Sequence, residues 1–336
     1  MADRIIYAIY HYDNNLEELE RLVQTGRGIN GVNNQGDIPL HYAVTTGAIE
    51  IVMLLVEHGA DVNSQDRYGS SPLRKAIWKN NIKIAEYLID RGADVNARNR
   101  EGDTLLMYTI KNRVRFEFVR LLIENDADLN AGNNNDFLPL RAAILNQRME
   151  TIRYLVENGA NINVRDTEFT PLDEAIRENN FEIFKFLVDN GADVNLSSNR
   201  KEFSPLHSAI QRDNIEMIKY LVEHGARLDI PDYQGITAFQ YGSRFYWEPG
   251  VFYGHRNRNP LIIDYFQNLK RSRVKTFFET HIIGRPTEPV PDDAPHNDPR
   301  RQQLPDDVLR TISGMAGNTS FGKTIDSDIR YLKSIK

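Results

Sequence analysis

Residues Gly317, Asn318, Thr319, Ser320, Phe321, Gly322, Lys323 and Thr324 spell GxxxxGKT, a spacing that can cradle phosphate. Such a loop works where it joins a buried strand to a helix whose first amides and dipole face the anion. Here the preceding stretch reads as helix and twelve residues follow, too few to complete a sheet. Nucleotide binding is therefore not expected. The eight histidines are His11, His41, His58, His207, His224, His255, His281 and His296, and the periodic ones fall in equivalent slots instead of converging. No HExxH spacing occurs, and there is no cysteine, which removes disulfides, thiolate metal sites and a cysteine nucleophile. The expectation is a non-enzymatic chain with no catalytic residue, no metal and no cofactor.

The elements carrying these residues are periodic. GADVN at Gly59 returns as GADVN at Gly92, DADLN at Asp126, GANIN at Gly159, GADVN at Gly191 and GARLD at Gly225, with a worn copy, GRGIN, at Gly26. The steps are 33, 33, 34, 33, 32 and 34 residues. A second signature keeps the same step: IPLH at Ile38, SPLR at Ser71, TLLM at Thr104, LPLR at Leu138, TPLD at Thr170, SPLH at Ser204 and TAFQ at Thr237. Two unrelated landmarks on one period identify a repeat architecture. The set resembles an ankyrin-repeat protein over about residues 1 to 270. The resemblance implies an all-α fold, an ankyrin-repeat solenoid of helix-turn-helix units with an extended C-terminal cap and a helical tail.

The expected division is an N-terminal capping unit at 1–32, six repeats at 33–231, a degenerate C-terminal unit with an insertion at 232–283, a Pro-rich linker at 284–303 and a helical tail at 304–336. Each unit enters its first helix through the Pro-Leu pair, since proline's fixed φ and missing donor cost nothing in a first turn. Second helices such as IEIVMLLVEHG and FEIFKFLVDNG are apolar over too wide an arc to stand alone, so each needs its neighbour as cover. Their closing glycines sit where helices end through a left-handed residue, and Asp126 takes that slot in one unit. Asp136 replaces the turn glycine of another unit, and the unit near Asp166 lacks one residue, so the least regular turns are expected there. Asp13 and Asn14 are expected to turn the chain between the two opening helices. By resemblance, His41 and His207 bond a neighbouring turn; His58 and His224 suit a helix C-terminus.

No stretch approaches the roughly 18 apolar residues of a membrane span, and MADRIIYAIYHYDNN does not read as a leader. Residues 1–240 carry 26 Lys and Arg against 36 Asp and Glu, whereas 241–283 carry 7 against 3. An acidic array argues against nucleic acid as partner. A monomer in the cytoplasm is expected.

Ankyrin arrays are similar to one another in using turn tips and the inner face of the first helices to hold a protein target. Phe137, Phe169 and Phe203 stand two residues before the motif proline in three consecutive units, a row of rings suited to anchoring a partner. The alternative is that each ring leans on its neighbouring turn. Tyr68 and Trp78 extend this surface, and Arg177, Arg212 and Arg244 lie on or beside the row of Trp78, Lys111, Leu145 and Gln211. Asn63, Asn96 and Asn195 look like sites that a eukaryotic asparaginyl hydroxylase modifies in ankyrin repeats, although a turn hydrogen bond is their simpler role.

In the tail, Pro305, Asp306 and Asp307 favour a helix start, with Val308, Leu309, Ile312 and Met315 on one face. Together with Leu304 they resemble the opening of an F-box, as in the F-box-like (PRANC-type) segment of ankyrin proteins from intracellular bacteria and poxviruses. That resemblance implies docking on the F-box-binding adaptor of a cullin ubiquitin ligase, inside a host cell's cytosol. Gly314, Gly317 and Gly322 interrupt the helices that should follow. The alternative is a tail that only caps the solenoid.

Overall fold

The computed structural model describes residues 2–11, 16–33, 38–66, 68–164, 169–198, 203–242 and 259–269. Among them the chain is helical, with two isolated antiparallel bridges, Arg98 to Thr104 and Pro231 to Thr237, and no strand. Two compact units divide it, Met1–Asp193 and Val194–Lys336.

The first unit alternates first and second helices: α1 (Ala2–Tyr10), α2 (Leu16–Gln24), α3 (Pro39–Thr46), α4 (Ile49–Glu57), α5 (Pro72–Trp78), α6 (Ile82–Asp90), α7 (Leu105–Lys111), α8 (Phe116–Glu124), α9 (Pro139–Leu145), α10 (Met149–Glu157), α11 (Pro171–Arg177) and α12 (Phe181–Asp189). Hydroxyls of Ser71, Thr104 and Thr170 accept the amides of Arg74, Met107 and Asp173, satisfying donors that α5, α7 and α11 leave orphaned. Asn81 and Asn180 do the same for α6 and α12.

The first helices α3, α5, α7, α9 and α11 are followed by one left-handed residue that reverses the chain: Gly47, Asn80, Arg113, Gln147 and Asn179, with φ of 82°, 56°, 52°, 54° and 53°. Gly59, Gly92, Gly159 and Gly191 close second helices at φ of 84° to 94°, and Asp126 does so at 62°. Asp136 likewise takes the left-handed conformation, φ 54°. Between closings lie the apolar residues of the core, including Leu73, Ile84, Phe118, Leu122, Ile152 and Phe184, all buried. Each fully buried side chain of this size contributes about 1.5–3 kcal/mol.

Consecutive repeats are clasped by the asparagine of the closing motif. Asn63 Nδ2 donates to the Gly92 carbonyl at 3.0 Å and its Oδ1 accepts the Asp94 amide at 2.7 Å. Asn96 repeats this on Asp126 and Asp128, and Asn163 on Gly191 and Asp193.

The second unit holds α13 (Pro205–Gln211), α14 (Ile215–Glu223), α15 (Ala238–Gly242) and α16 (260–269). Asn195 clasps Gly225 and Arg227 in the same way. The Asp213 carboxylate accepts the Asn259 amide at 3.3 Å, and the buried Ile262 and Phe266 seat α16. Within the degenerate unit expected at 232–283, the last helix is described as far as residue 269. Asp13, Asn14, Asp166, the insertion, the linker and the tail lie outside the described residues.

Candidate protein-binding site

Turn tips in this fold are built around one acceptor side chain. Asp66 Oδ1 accepts the amides of Tyr68 and Ser70 at 2.8 and 2.9 Å, and Asn99, Asn133 and Asp232 repeat the arrangement in their own turns. Burial pushes the Asp66 carboxyl up, but the Ser70 amide, the Lys75 ammonium and the Tyr68 amide together hold it below its ordinary value. Lys75 Nζ lies 3.1 Å from Asp66, and Lys111 Nζ 2.7 Å from Asp103. These pairs fix each tip onto its own first helix. Their signal in the sequence is an acid eight or nine residues ahead of a lysine in two successive units.

On that framework Tyr68 projects from a tip and Trp78 from the end of α5, 61 % and 63 % exposed. The Lys79 ammonium sits 4.8 Å from the Trp78 ring, and the Arg74 guanidinium 4.2 Å from that of Tyr108. Aromatic and basic side chains therefore share this inner surface, and several hold each other in place.

The phenylalanines divide into two environments. Phe137 and Phe169 are half-buried and flank the Arg141 guanidinium at 4.9 and 5.6 Å, while Arg177 lies 3.9 Å from the Phe169 ring. Both arginines converge on buried Glu174, Arg141 at 2.8 Å and Arg177 at 3.8 Å. Phe203, in the second unit, is only 7 % exposed: it stacks on His207 at 5.6 Å and packs against Tyr233 and Tyr241. Its ring leans on the neighbouring turn and helix through Tyr233 and Tyr241, the alternative given for the row, and does not project for a partner. Arg212 is exposed as the residue ending α13; Arg244, Leu304, Pro305, Val308, Leu309, Ile312 and Met315 lie outside the described residues.

His207 Nδ1 faces the Ser204 hydroxyl at 2.8 Å and its Nε2 the Ile236 carbonyl at 3.1 Å, so it bonds the neighbouring turn. Burial lowers its pKa, against the Ile236 carbonyl and the Asp232 carboxylate, which raise it. His41 Nδ1 accepts the Ile38 amide at 3.3 Å. Among the described residues no His, Cys, Asp and Glu group could hold a metal, and no helix is long and apolar enough to cross a membrane. Asn63 and Asn96 are exposed and Asn195 half-exposed, each with both ends of its amide engaged.

A family model described as ankyrin repeats, three copies, matches residues 5–99, 96–166 and 172–245. The chain belongs to the ankyrin-repeat family. This ankyrin array is similar to the crystal structure of the ankyrin repeat domain of Bcl-3, described as a unique member of the IkappaB protein family. The TM-score is 0.60 at 25% identity, covering 70% of this chain and 100% of that one. The ankyrin repeat domain of human ASB11 is matched at 27% identity and a TM-score of 0.48, over 61% of this chain and 91% of that one. Among curated proteins, Alpha-latroinsectotoxin-Lt1a of Latrodectus tredecimguttatus is 40% identical over 60 residues, 18% of this chain. The match spans only 4% of that toxin. Ankyrin repeats are protein-binding scaffolds.

Proposed function

We propose that this ankyrin-repeat protein is a non-enzymatic adaptor. Its array holds a target protein on the inner surface around Tyr68 and Trp78, and the segment Leu304 to Met315 docks a cullin-type ubiquitin ligase through its F-box-binding adaptor. Two large aromatics exposed on a tip and a helix end support the first part, the tip being held by the Asp66–Lys75 pair and the Trp78 ring lying against the Lys79 ammonium. The Leu-Pro-Asp-Asp-Val-Leu-Arg-Thr-Ile run supports the second.

Leu261, 63 % exposed on α16, favours a second reading in which the C-terminal helix covers the end of the array and the protein is a plain scaffold or inhibitor. Affinity capture from eukaryotic lysate with the full chain separates the two. The adaptor reading expects ligase components that disappear in the Leu304→Ala, Pro305→Ala variant, and a target that disappears in the Tyr68→Ala, Trp78→Ala variant. Unchanged ligase recovery from the first variant would sink the adaptor reading.

A further inference from the structure

The reversals that join first to second helices carry one sign of charge over three consecutive repeats. Stretches 78–81, 111–115 and 145–148, each ending just before its second helix, contain Lys79, Lys111, Arg113, Arg115 and Arg148 and no Asp or Glu; Lys83 follows in the first turn of α6, where α8 and α10 carry Glu117 and Glu150. On the same bounds the reversals on either side differ: 46–48 carries no charge, and 177–180 sets Arg177 against Glu178. The basic patch is therefore bounded.

Lys111 and Arg115 pair with Asp103 and Glu117, but Lys79, Lys83, Arg113 and Arg148 form no ion pair among the described residues. Arg113 Nε donates to Asn146 Oδ1 at 3.1 Å and Arg148 Nη1 to the Val114 carbonyl at 2.7 Å, so both guanidinium groups are held in place with their charge uncompensated. Trp78 lies at the edge of these charges, and Leu145 fills the equivalent helix position two repeats on, 37 % exposed. At the other end of the second helices the closing turns carry exposed Asp61, Asp94, Asp126, Asp128 and Asp193. Nine residues of helix, about 14 Å, separate the two belts, more than a Debye length at physiological salt.

We propose that the reversals after α5, α7 and α9 form the docking edge for an acidic protein segment whose aromatic or aliphatic side chains seat on Trp78 and Leu145. This rests on the protein-binding reading above and names the chemistry of the partner. Uncompensated cations beside an exposed indole attract carboxylates at long range and give apolar side chains somewhere to land. A long polyanion such as nucleic acid is disfavoured, because it would overrun the patch onto the carboxylates of the neighbouring belt.

The test uses the full chain carrying Trp247→Phe, so that Trp78 is the remaining tryptophan. Its emission is titrated with a synthetic peptide of alternating Glu and Leu, with the same peptide carrying Lys for Glu, and with a polythymidine oligonucleotide. The Glu peptide is expected to give a saturable change that weakens about tenfold in Lys79→Glu, Lys83→Glu and again on raising salt from about 50 to about 300 mM; far-UV circular dichroism checks that the variant folds. No saturable change, an equal response in the charge variant, or tighter binding of the oligonucleotide each overturns the inference. A captured target that needs Trp78 but not Lys79 and Lys83 leaves the protein-binding reading standing and removes this one.

Discussion

Arg141 Nε lies 2.8 Å from the carboxylate of Glu174, 33 residues away, with both side chains largely shielded from water. The pair ties α9 to α11 beneath Phe137 and Phe169, and Arg177 approaches the same carboxylate only at 3.8 Å. Arg141→Ala leaves that carboxylate buried without its nearer partner. A loss of about 3 kcal/mol is expected, seen as a lower urea midpoint with unchanged slope. A midpoint that stays put would show that Arg177 alone suffices.

Asn63→Ala removes both arms of one clasp, the bonds to Gly92 and Asp94. Because the site is exposed, water replaces part of the loss and about 1–2 kcal/mol is expected. Hydrogen exchange at the Asp94 amide should accelerate while that at Asp193, clasped by Asn163, should not.

Acidification acts on His207. Its folded pKa is depressed chiefly by burial, so its contribution is complete above the unfolded value of about 6.5 and is lost as pH falls below that towards the folded value. Melting of the second unit between about pH 7.5 and 5.5 should fall more steeply in the native chain than in His207→Gln. Parallel curves would contradict the assignment.

Gly242 faces the ring of Phe266, and a methyl group there would collide with three ring carbons. Gly242→Ala therefore forces α16 or the ring to shift, at a cost of about 1–3 kcal/mol. Limited proteolysis reads this as faster cleavage within 259–269; equal rates would mean the ring swings away freely.

Trp78→Ala and Tyr68→Ala remove exposed rings and should change stability by less than about 0.5 kcal/mol. The same variants should lose most of their binding to a captured target. A variant that melts early but still binds would reverse the role assigned here.

Local rules make much of this architecture legible in the sequence. Gly92 and Asp126 end their helices left-handed and Pro72 opens α5, as residue type and position alone predict. Partners about 33 residues away were less accessible. Phe169 and Phe203 occupy the same motif slot, yet only Phe203 meets a Tyr241 that seals it, and Phe169 instead receives Arg177. Arg141 and Glu174 each read as surface charges on their own helices, and only the stacking of α9 on α11 turns them into a buried pair. Tyr68 and Trp78 are singled out by their places on a turn and a first helix, and both rings are exposed.

The asparagine clasp joins a side chain only to backbone groups and only to the next rung. Swapping what else a rung displays, or splicing in another rung that ends with the same amide, leaves both handshakes intact. The scaffold can therefore be lengthened or given a different grip without retuning its joints, and damage to one joint should stop at its neighbour.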